Sequence, residues 1–155
     1  FTEYKRADKD AYLVLLGDGE LMETMKNKAK ELGIADFVLF VGNVGNANEW
    51  YQAFDVFMLP SIWEGLPVVG VEAQAADLPC IFSDNVTKEI GLSDKASFLS
   101  LKADMGSWVS EIYQKMQMTQ RVNQEALITE NHYNIEKEAV LLQERYLKLY
   151  GENTL

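Results

Sequence analysis

Short apolar runs alternate along the chain with longer segments in which apolar residues recur every three or four positions. A run of four to seven apolar residues bounded by Gly or Pro is typical of a strand buried on both faces of a parallel sheet. We therefore predict a strand in each run. The runs cover residues 11–17, 37–41, 55–59, 79–83 and 96–101.

The segments between these runs have the spacing of helices. Residues 21–32 place their apolar side chains on one helical face, and Gly33 follows as a typical C-terminal cap. Pro67 suits the first turn of a helix that continues to about Ala76. The other predicted helices cover residues 47–54, 104–118, 120–131 and 134–150. An apolar stripe on the last of them is expected to pack into the core.

Strands that alternate with helices across short loops predict right-handed βαβ units and an α/β fold with a doubly wound, Rossmann-like parallel sheet. Such sheets bind ligands outside the carboxyl ends of their strands. Residues 1–6 resemble the last turns of a helix, and no predicted strand precedes them. Since a doubly wound domain normally begins with a strand in mid-sheet, we expect a fragment that lacks its first strand.

Composition narrows the range of functions. The chain has 155 residues, of which 48% are hydrophobic, which suits one ordered domain. Its formal net charge of −10 argues against a nucleic-acid partner and against docking on anionic lipid. A small phosphorylated ligand is compatible with this charge, because backbone N–H groups can bind it locally. Cys80 is the one cysteine, so the chain can form no internal disulfide.

The segment from Pro60 to Ala76 carries the most chemical information. A loop connects a strand that ends near Pro60 to the helix that begins near Pro67. A helix start has unpaired N–H groups and partial positive charge, which favour a phosphate. Glu64 lies in the loop, and Glu72 interrupts an otherwise small and apolar helix that we expect to be buried all round. Each carboxylate can accept two O–H donors, as vicinal sugar hydroxyls supply.

The two glutamates therefore predict a nucleotide-sugar site, with one sugar on each side of a diphosphate. The alternative is structural: Glu64 caps the helix, and Glu72 pairs with a basic residue in the core. Trp63, beside Glu64, either shields the sugar or packs in the core. A lone His132, the triplet Asp8-Lys9-Asp10 and buried Cys80 have simpler interpretations as surface, turn and core residues, and we predict no metal site.

The sequence Glu64-Gly-Leu-Pro-Val-Val-Gly-Val-Glu72 resembles the E-x7-E motif of retaining family 4 glycosyltransferases. Segments resembling the same family precede and follow it in the same order, and the resemblance covers about residues 11 to 150. These segments are Leu15-Leu-Gly-Asp-Gly19, Phe40-Val-Gly42, Tyr51 to Ser61 and Ala73 to Ile81. The chain is most similar to the C-terminal, donor-binding domain of bacterial capsule and exopolysaccharide enzymes, which have the two-domain GT-B fold.

The resemblance implies a role for each motif position. Glu64, as the catalytic residue, would contact hydroxyls of the donor sugar, and Glu72 would accept those of the ribose. The turn before the helix would line the diphosphate, and the loop after Gly42 would lie near the base. The implied donor-binding residues are Glu64, Gly65, Leu66, Pro67, Glu72, Asn43 and Val44.

The resemblance also implies what surrounds this domain. Residues 1–155 would form a single nucleotide-sugar-binding domain of a larger two-domain enzyme, without a cofactor or a metal. The acceptor would be a glycan or a lipid-linked sugar that binds a missing N-terminal domain. An Arg and a Lys that bind the diphosphate in this family would precede Phe1, so we expect this chain alone to be inactive. The whole enzyme would be cytoplasmic, with at most peripheral contact with the inner face of the membrane.

Two other classes of function compete with this interpretation. The first is a regulatory module that binds a nucleotide or a sugar phosphate without catalysis. The second is a phosphoacceptor receiver domain, which is disfavoured because three of the predicted strands end in Gly17, Gly42 and Pro60 rather than in acidic residues. A nicotinamide site at Gly17-Asp-Gly19 is disfavoured because Met22 replaces the third glycine of the fingerprint.

Overall fold

The computed structural model describes the backbone of residues 1–152 and the side chains of residues 1–151. Residues 153–155 of the predicted domain lie outside this range. The strands are β1 (Leu13–Leu16), β2 (Val38–Gly42), β3 (Phe57–Leu59), β4 (Cys80–Ser83) and β5 (Ala96–Leu99). The α-helices are α1 (Thr2–Ala7), α2 (Met22–Glu31), α3 (Ala47–Ala53), α4 (Val68–Ala75), α5 (Met105–Met116), α6 (Glu125–Glu130) and α7 (Ile135–Glu152). Short 3-10 turns cover Ala35–Phe37 and Lys88–Ile90.

All strand pairs are parallel, as predicted. β1 pairs with β2 in one sheet, and β3, β4 and β5 form a second sheet with β4 in the middle. The second edges of β1 and β3 pair with no strand among residues 1–152.

The predicted strands and most of the predicted helices are confirmed in position. The exception is the helix predicted over residues 120–131, which begins only at Glu125. The buried Asp77 carboxylate accepts hydrogen bonds from the Val122 N–H and the Gln124 side chain, at 2.7 and 2.6 Å. These bonds fix the segment before α6 in an irregular conformation, since Val122 N–H donates to a side chain instead of to a helical carbonyl.

The core lies around β4. Cys80, Ile81 and Phe82 are fully buried, and Cys80 and Phe82 share a hydrophobic cluster with Val71 and Ala73 of α4. The ring of Phe82 contacts those of Phe57 and Phe98, which links the three strands of this sheet. The parallel register places the carboxyl ends of β3 and β4 at the same edge, so the loops after Leu59 and Ser83 lie side by side.

The apolar stripe of α7 does not form core. Ile135 and Tyr146 are 77% and 65% exposed, and Leu142 is 53% exposed. The prediction of a packed stripe is therefore wrong for the described part of the chain. Within residues 1–152, no helix is long and apolar enough to cross a membrane.

Candidate functional site

The loop after β3 holds Glu64 at the carboxyl edge of the sheet. Ser61 Oγ donates a hydrogen bond to Glu64 Oε1 at 2.8 Å. Glu64 Oε2 has no hydrogen-bond partner among the described residues, and the side chain is only partly buried. The Glu64 carboxylate is therefore oriented by the protein at one oxygen and open to a ligand at the other.

The neighbouring loop after β4 fixes the position of this segment. Ser83 Oγ donates to the backbone oxygen of Ser61, and Asn85 Nδ2 donates to that of Ile62 at 3.0 Å. Ser83 is fully buried at the end of the central strand. The backbone that carries Glu64 is thus held by two side chains from an adjacent strand end.

Glu72 lies one turn from the end of α4 and is exposed. Its Oε2 accepts a hydrogen bond from the Tyr51 hydroxyl at 3.1 Å, and its Oε1 has no partner among the described residues. Burial, together with this bond to Glu72, raises the pKa of Tyr51 to about 12. The phenol is therefore a proton donor to Glu72 at neutral pH, and Glu72 resembles Glu64 in having one oxygen held and one open.

Helix α4 is buried on one face only. Gly70, Val71, Ala73 and Gln74 are buried, whereas Val68 and Val69 are 63% and 42% exposed. The prediction of a helix buried all round is therefore wrong, and so is the structural alternative in which Glu72 pairs with a basic core residue. The physical reason is that β4 and the loop up to Ile90 cover one side of α4, whereas Val68 and Glu72 stay exposed although the Tyr51 hydroxyl of α3 reaches Glu72.

Gly65 and Leu66 come directly before the buried Pro67, the N-terminal cap of α4. A Cβ atom added at Gly65 would meet no other atom within 4 Å, so there is free space in front of this backbone. Because the first N–H groups of a helix have no partner within the helix, this turn can bind an anion. The loop from Pro60 to Pro67 contains no Lys or Arg that would add a cationic contact.

Asn43 and Val44 follow β2 at the carboxyl end of the other sheet. Asn43 is exposed and Val44 is partly buried, and Gly42 before them has a positive φ of 80°. Neither residue forms a hydrogen bond with the Glu64 loop among the described residues. The structure thus brings Glu64, Gly65, Leu66, Pro67 and Glu72 together along one loop and helix, and it leaves Asn43 and Val44 on a separate loop.

Trp63 is 80% exposed beside Glu64, as is Ile62, so the alternative that Trp63 packs in the core is wrong. The simpler interpretations of three other residues are confirmed. His132 is exposed and contacts Glu138 through Nδ1 at 2.9 Å, Asp8 accepts from Tyr4 in the turn before β1, and Cys80 is fully buried. Among residues 1–152 no three His, Cys, Asp or Glu side chains come together as a set that could hold a metal ion.

Sequence reasoning missed the two hydroxyl groups that orient the glutamates. Ser61 lies three positions before Glu64, a spacing visible in the sequence. Tyr51 lies 21 positions before Glu72, on another helix, and no periodicity or motif connects the two. Only the packing of α3 against α4 brings them into contact.

The parallel α/β fold is that of a Rossmann-like domain, and the acidic pair beside a helix start is a candidate site at its carboxyl edge. The family model for glycosyl transferases group 1 matches residues 1–117. This chain therefore belongs to the glycosyl transferases group 1 family.

Individual relatives support this assignment. EpsF of Bacillus subtilis is 43% identical over 102 residues, which cover 64% of this chain and 26% of EpsF. The Escherichia coli UDP-Gal:alpha-D-GlcNAc-diphosphoundecaprenol alpha-1,3-galactosyltransferase is 41% identical over 76 residues, covering 48% of this chain and 20% of that enzyme. The matched parts are thus about a quarter or less of the length of these relatives.

Solved structures share the fold. The lipopolysaccharide outer core galactosyltransferase WaaB has a TM-score of 0.65 and 21% identity, over 80% of this chain and 37% of WaaB. WaaG, a glycosyltransferase involved in lipopolysaccharide biosynthesis, has a TM-score of 0.65 and 17% identity, over 86% of this chain and 37% of WaaG. The predicted fold class is confirmed: the chain has the Rossmann-like architecture of the C-terminal half of a GT-B enzyme.

Proposed function

We propose that this chain is the donor-binding half of a retaining glycosyltransferase. The whole enzyme would move a hexose from a nucleotide-sugar to a glycan or lipid-linked acceptor during bacterial polysaccharide synthesis, at the cytoplasmic side of the membrane. One observation carries this proposal. Glu64 and Glu72 lie on the two sides of the start of α4, and each has one oxygen held by a hydroxyl and one oxygen open.

The chemistry of a nucleotide-sugar fits this arrangement. An ionised carboxylate accepts hydrogen bonds and donates none, so its open oxygen suits the O–H groups of a sugar. The helix start between the glutamates suits the diphosphate, which connects the donor sugar to the ribose. We therefore place the donor sugar at Glu64 and the ribose at Glu72, with Gly65, Leu66 and Pro67 at the diphosphate and Asn43 and Val44 near the base.

The chain alone should bind a nucleotide-sugar weakly and should not transfer the sugar. Without a cation in the loop from Pro60 to Pro67, we expect a Kd on the order of millimolar, or about −4 kcal/mol. A retaining transfer also needs an acceptor, which we assign to a second domain. Measurable transfer or hydrolysis by residues 1–155 would contradict this division of the enzyme.

The test is a titration of the 15N-labelled chain with UDP-galactose and UDP-glucose, followed by amide chemical shifts. We expect the shifts to concentrate at Gly65, Leu66 and the first turn of α4. Glu64→Gln and Glu72→Gln should weaken these shifts, whereas Glu136→Gln, a change on α7, should leave them unaltered. The proposal fails if the shifts are absent, or if they map to the cleft of about 430 Å³ at the other end of α4, between Ala76 and Gln124.

In the whole enzyme the two substitutions should differ. Glu72→Gln should mainly raise KM, because the ribose changes little during transfer and is therefore bound equally well in the ground state and in the transition state. Glu64→Gln should mainly lower kcat, because the sugar at Glu64 gains positive charge as its bond to phosphate breaks. Steady-state kinetics with matched melting curves checks this. Early melting of both variants with normal kcat and KM would show that neither glutamate contacts the donor.

A further inference from the structure

Tyr51 connects the hydrophobic core to the candidate site. Its side chain is 4% exposed, and its ring meets those of Phe54 and Phe57 edge to face, with centroids 6.4 and 6.1 Å apart. Arg121 Nη1 donates to the Tyr51 backbone oxygen at 2.8 Å, which fixes the end of α3. Both the ring and the backbone of Tyr51 therefore have one well-determined position.

The Tyr51 hydroxyl reaches from α3 to the exposed Glu72 on α4 and donates to its Oε2 at 3.1 Å. An exposed Glu side chain ordinarily samples several rotamers, and binding a ligand costs the entropy of choosing one. A donor fixed in the core removes much of this freedom beforehand. It also leaves Oε1 of the exposed Glu72 as an acceptor without a partner among the described residues.

We propose that Tyr51 is a positioning residue for ribose recognition: its hydroxyl holds Glu72 so that Oε1 meets a ribose hydroxyl of the nucleotide. This inference rests on the proposed function, and it adds a residue that lies outside the acidic motif from Glu64 to Glu72. Tyr51 does not contact the ligand, and it acts only through Glu72.

The chain contains a matched control. Tyr4 is 5% exposed, and its hydroxyl donates to the carboxylate of Asp8 at 3.2 Å. Burial raises the pKa of Tyr4 to about 12, as it does for Tyr51. Asp8 precedes β1 and so lies at the amino end of its sheet, away from the loops that form the site. Tyr4→Phe and Tyr51→Phe thus remove equivalent bonds, and only the second lies beside the site.

The experiment measures amide shifts during titration with UDP, GDP and ADP and with their 2′-deoxy counterparts, and it continues with the pair that binds most tightly. Tyr51→Phe should raise Kd for the ribonucleotide about three- to tenfold, the loss expected for one hydrogen bond. It should also reduce the preference for the ribonucleotide over its 2′-deoxy counterpart. Tyr4→Phe should change neither quantity, although melting curves should show that both variants lose similar stability.

Glu72→Asp provides a second variant, at an exposed position where folding is not at risk. It keeps the charge but withdraws the carboxylate from the Tyr51 hydroxyl, so it should weaken ribonucleotide binding to a similar degree. Adding Tyr51→Phe to Glu72→Asp should then have no further effect, because both changes break the same bond.

The possible failures are distinguishable. Binding by the unsubstituted chain together with unaltered Kd and ribose preference in Tyr51→Phe would overturn this inference and leave the proposed function in place. Additive losses in the double variant would also overturn it, since they would mean that Tyr51 acts independently of Glu72. No binding of any of the three nucleotides by the unsubstituted chain would overturn both proposals.

Discussion

Strand β1 is more apolar than strand β4, yet it is less buried. β1 reads Leu-Val-Leu-Leu and is wholly apolar, yet none of its residues is fully buried and Leu15 is 37% exposed. β4 reads Cys-Ile-Phe-Ser and ends in a polar residue, yet every one of its side chains is buried, with Ser83 at 0%. Apolar composition therefore does not decide how deeply these strands lie.

Their positions in the fold explain the difference. β4 pairs with a strand on each side, and both α4 and α5 pack against it. Within residues 1–152, β1 pairs with β2 alone, and β2 has one buried residue, Val38. A strand is thus buried by its neighbours on both edges and both faces, and the candidate glutamates belong to the well-covered half.

The two halves also differ in their ion pairs. In the β1–β2 half, the pairs of α2 lie on the surface, such as Lys26 with Glu23. In the β3–β5 half, Asp77 is 1% exposed and binds Lys95 at 2.7 Å. Exposed pairs contribute little to stability, whereas loss of one partner of a buried pair leaves an uncompensated charge.

The largest expected effect on stability comes from shortening one side chain of a strand in each half. Ile81→Ala in β4 should lower the free energy of unfolding by about 2–5 kcal/mol, because a fully buried side chain leaves a cavity. Leu39→Ala in β2, where the side chain is 43% exposed, should cost less than half as much. Urea unfolding with equal m-values measures both. Equal losses would show that the two halves are buried alike.

A smaller effect is expected at Asp77. Burial acts to raise the pKa of Asp77, but hydrogen bonds from Lys95, Val122 and Gln124 outweigh it and hold the pKa below its ordinary value. Asp77→Asn keeps the shape and tolerates the positive φ of 55°, and it should cost about 2 kcal/mol at pH 7.

The pH dependence has a definite sign. Because the folded-state pKa of Asp77 is lowered, its contribution is present above the ordinary pKa and is lost as the pH falls through the folded value. The difference between Asp77→Asn and the parent chain should therefore shrink below about pH 4. Glu23→Gln, at an exposed pair, should leave the urea midpoint unaltered. A difference that is constant with pH would contradict the charged role of Asp77.

The smallest effect is expected from adding a methyl group in each half. A Cβ at Gly70 on α4 would lie 2.9 Å from Ile90 Cγ1 and from Phe82 Cε1. This overpacking should outweigh the better helix propensity of Ala, so Gly70→Ala should destabilise by about 1 kcal/mol. A Cβ at Gly19 before α2 would meet nothing within 4 Å, and Gly19→Ala should stay within about 0.5 kcal/mol. Thermal melts of the two variants check this. A neutral Gly70→Ala would mean that the core around β4 repacks freely.

Much of the fold was predictable because strands and helices leave local patterns. Gly33 marks the end of α2 and has a φ of 68°, as its place after the predicted helix requires. The boundary of α6 was not predictable, because it depends on Val122 binding Asp77, 45 positions earlier. For the site, the spacing of Glu64 and Glu72 could be recognised in the sequence. The exposure of Glu72 could not be predicted, because the small and apolar composition of its helix indicates burial on all sides.

The sequence by itself determined the order of strands and helices, the family and the pair of glutamates around a helix start. Periodicity, capping residues and a short motif are local properties, which can be recognised from the sequence alone. The tertiary structure decided which apolar residues are buried and how the glutamates are held. The bond from Tyr51 to Glu72 joins residues on different helices. Such a contact forms only when packing sets the distance between α3 and α4, and no feature of either segment encodes that distance alone.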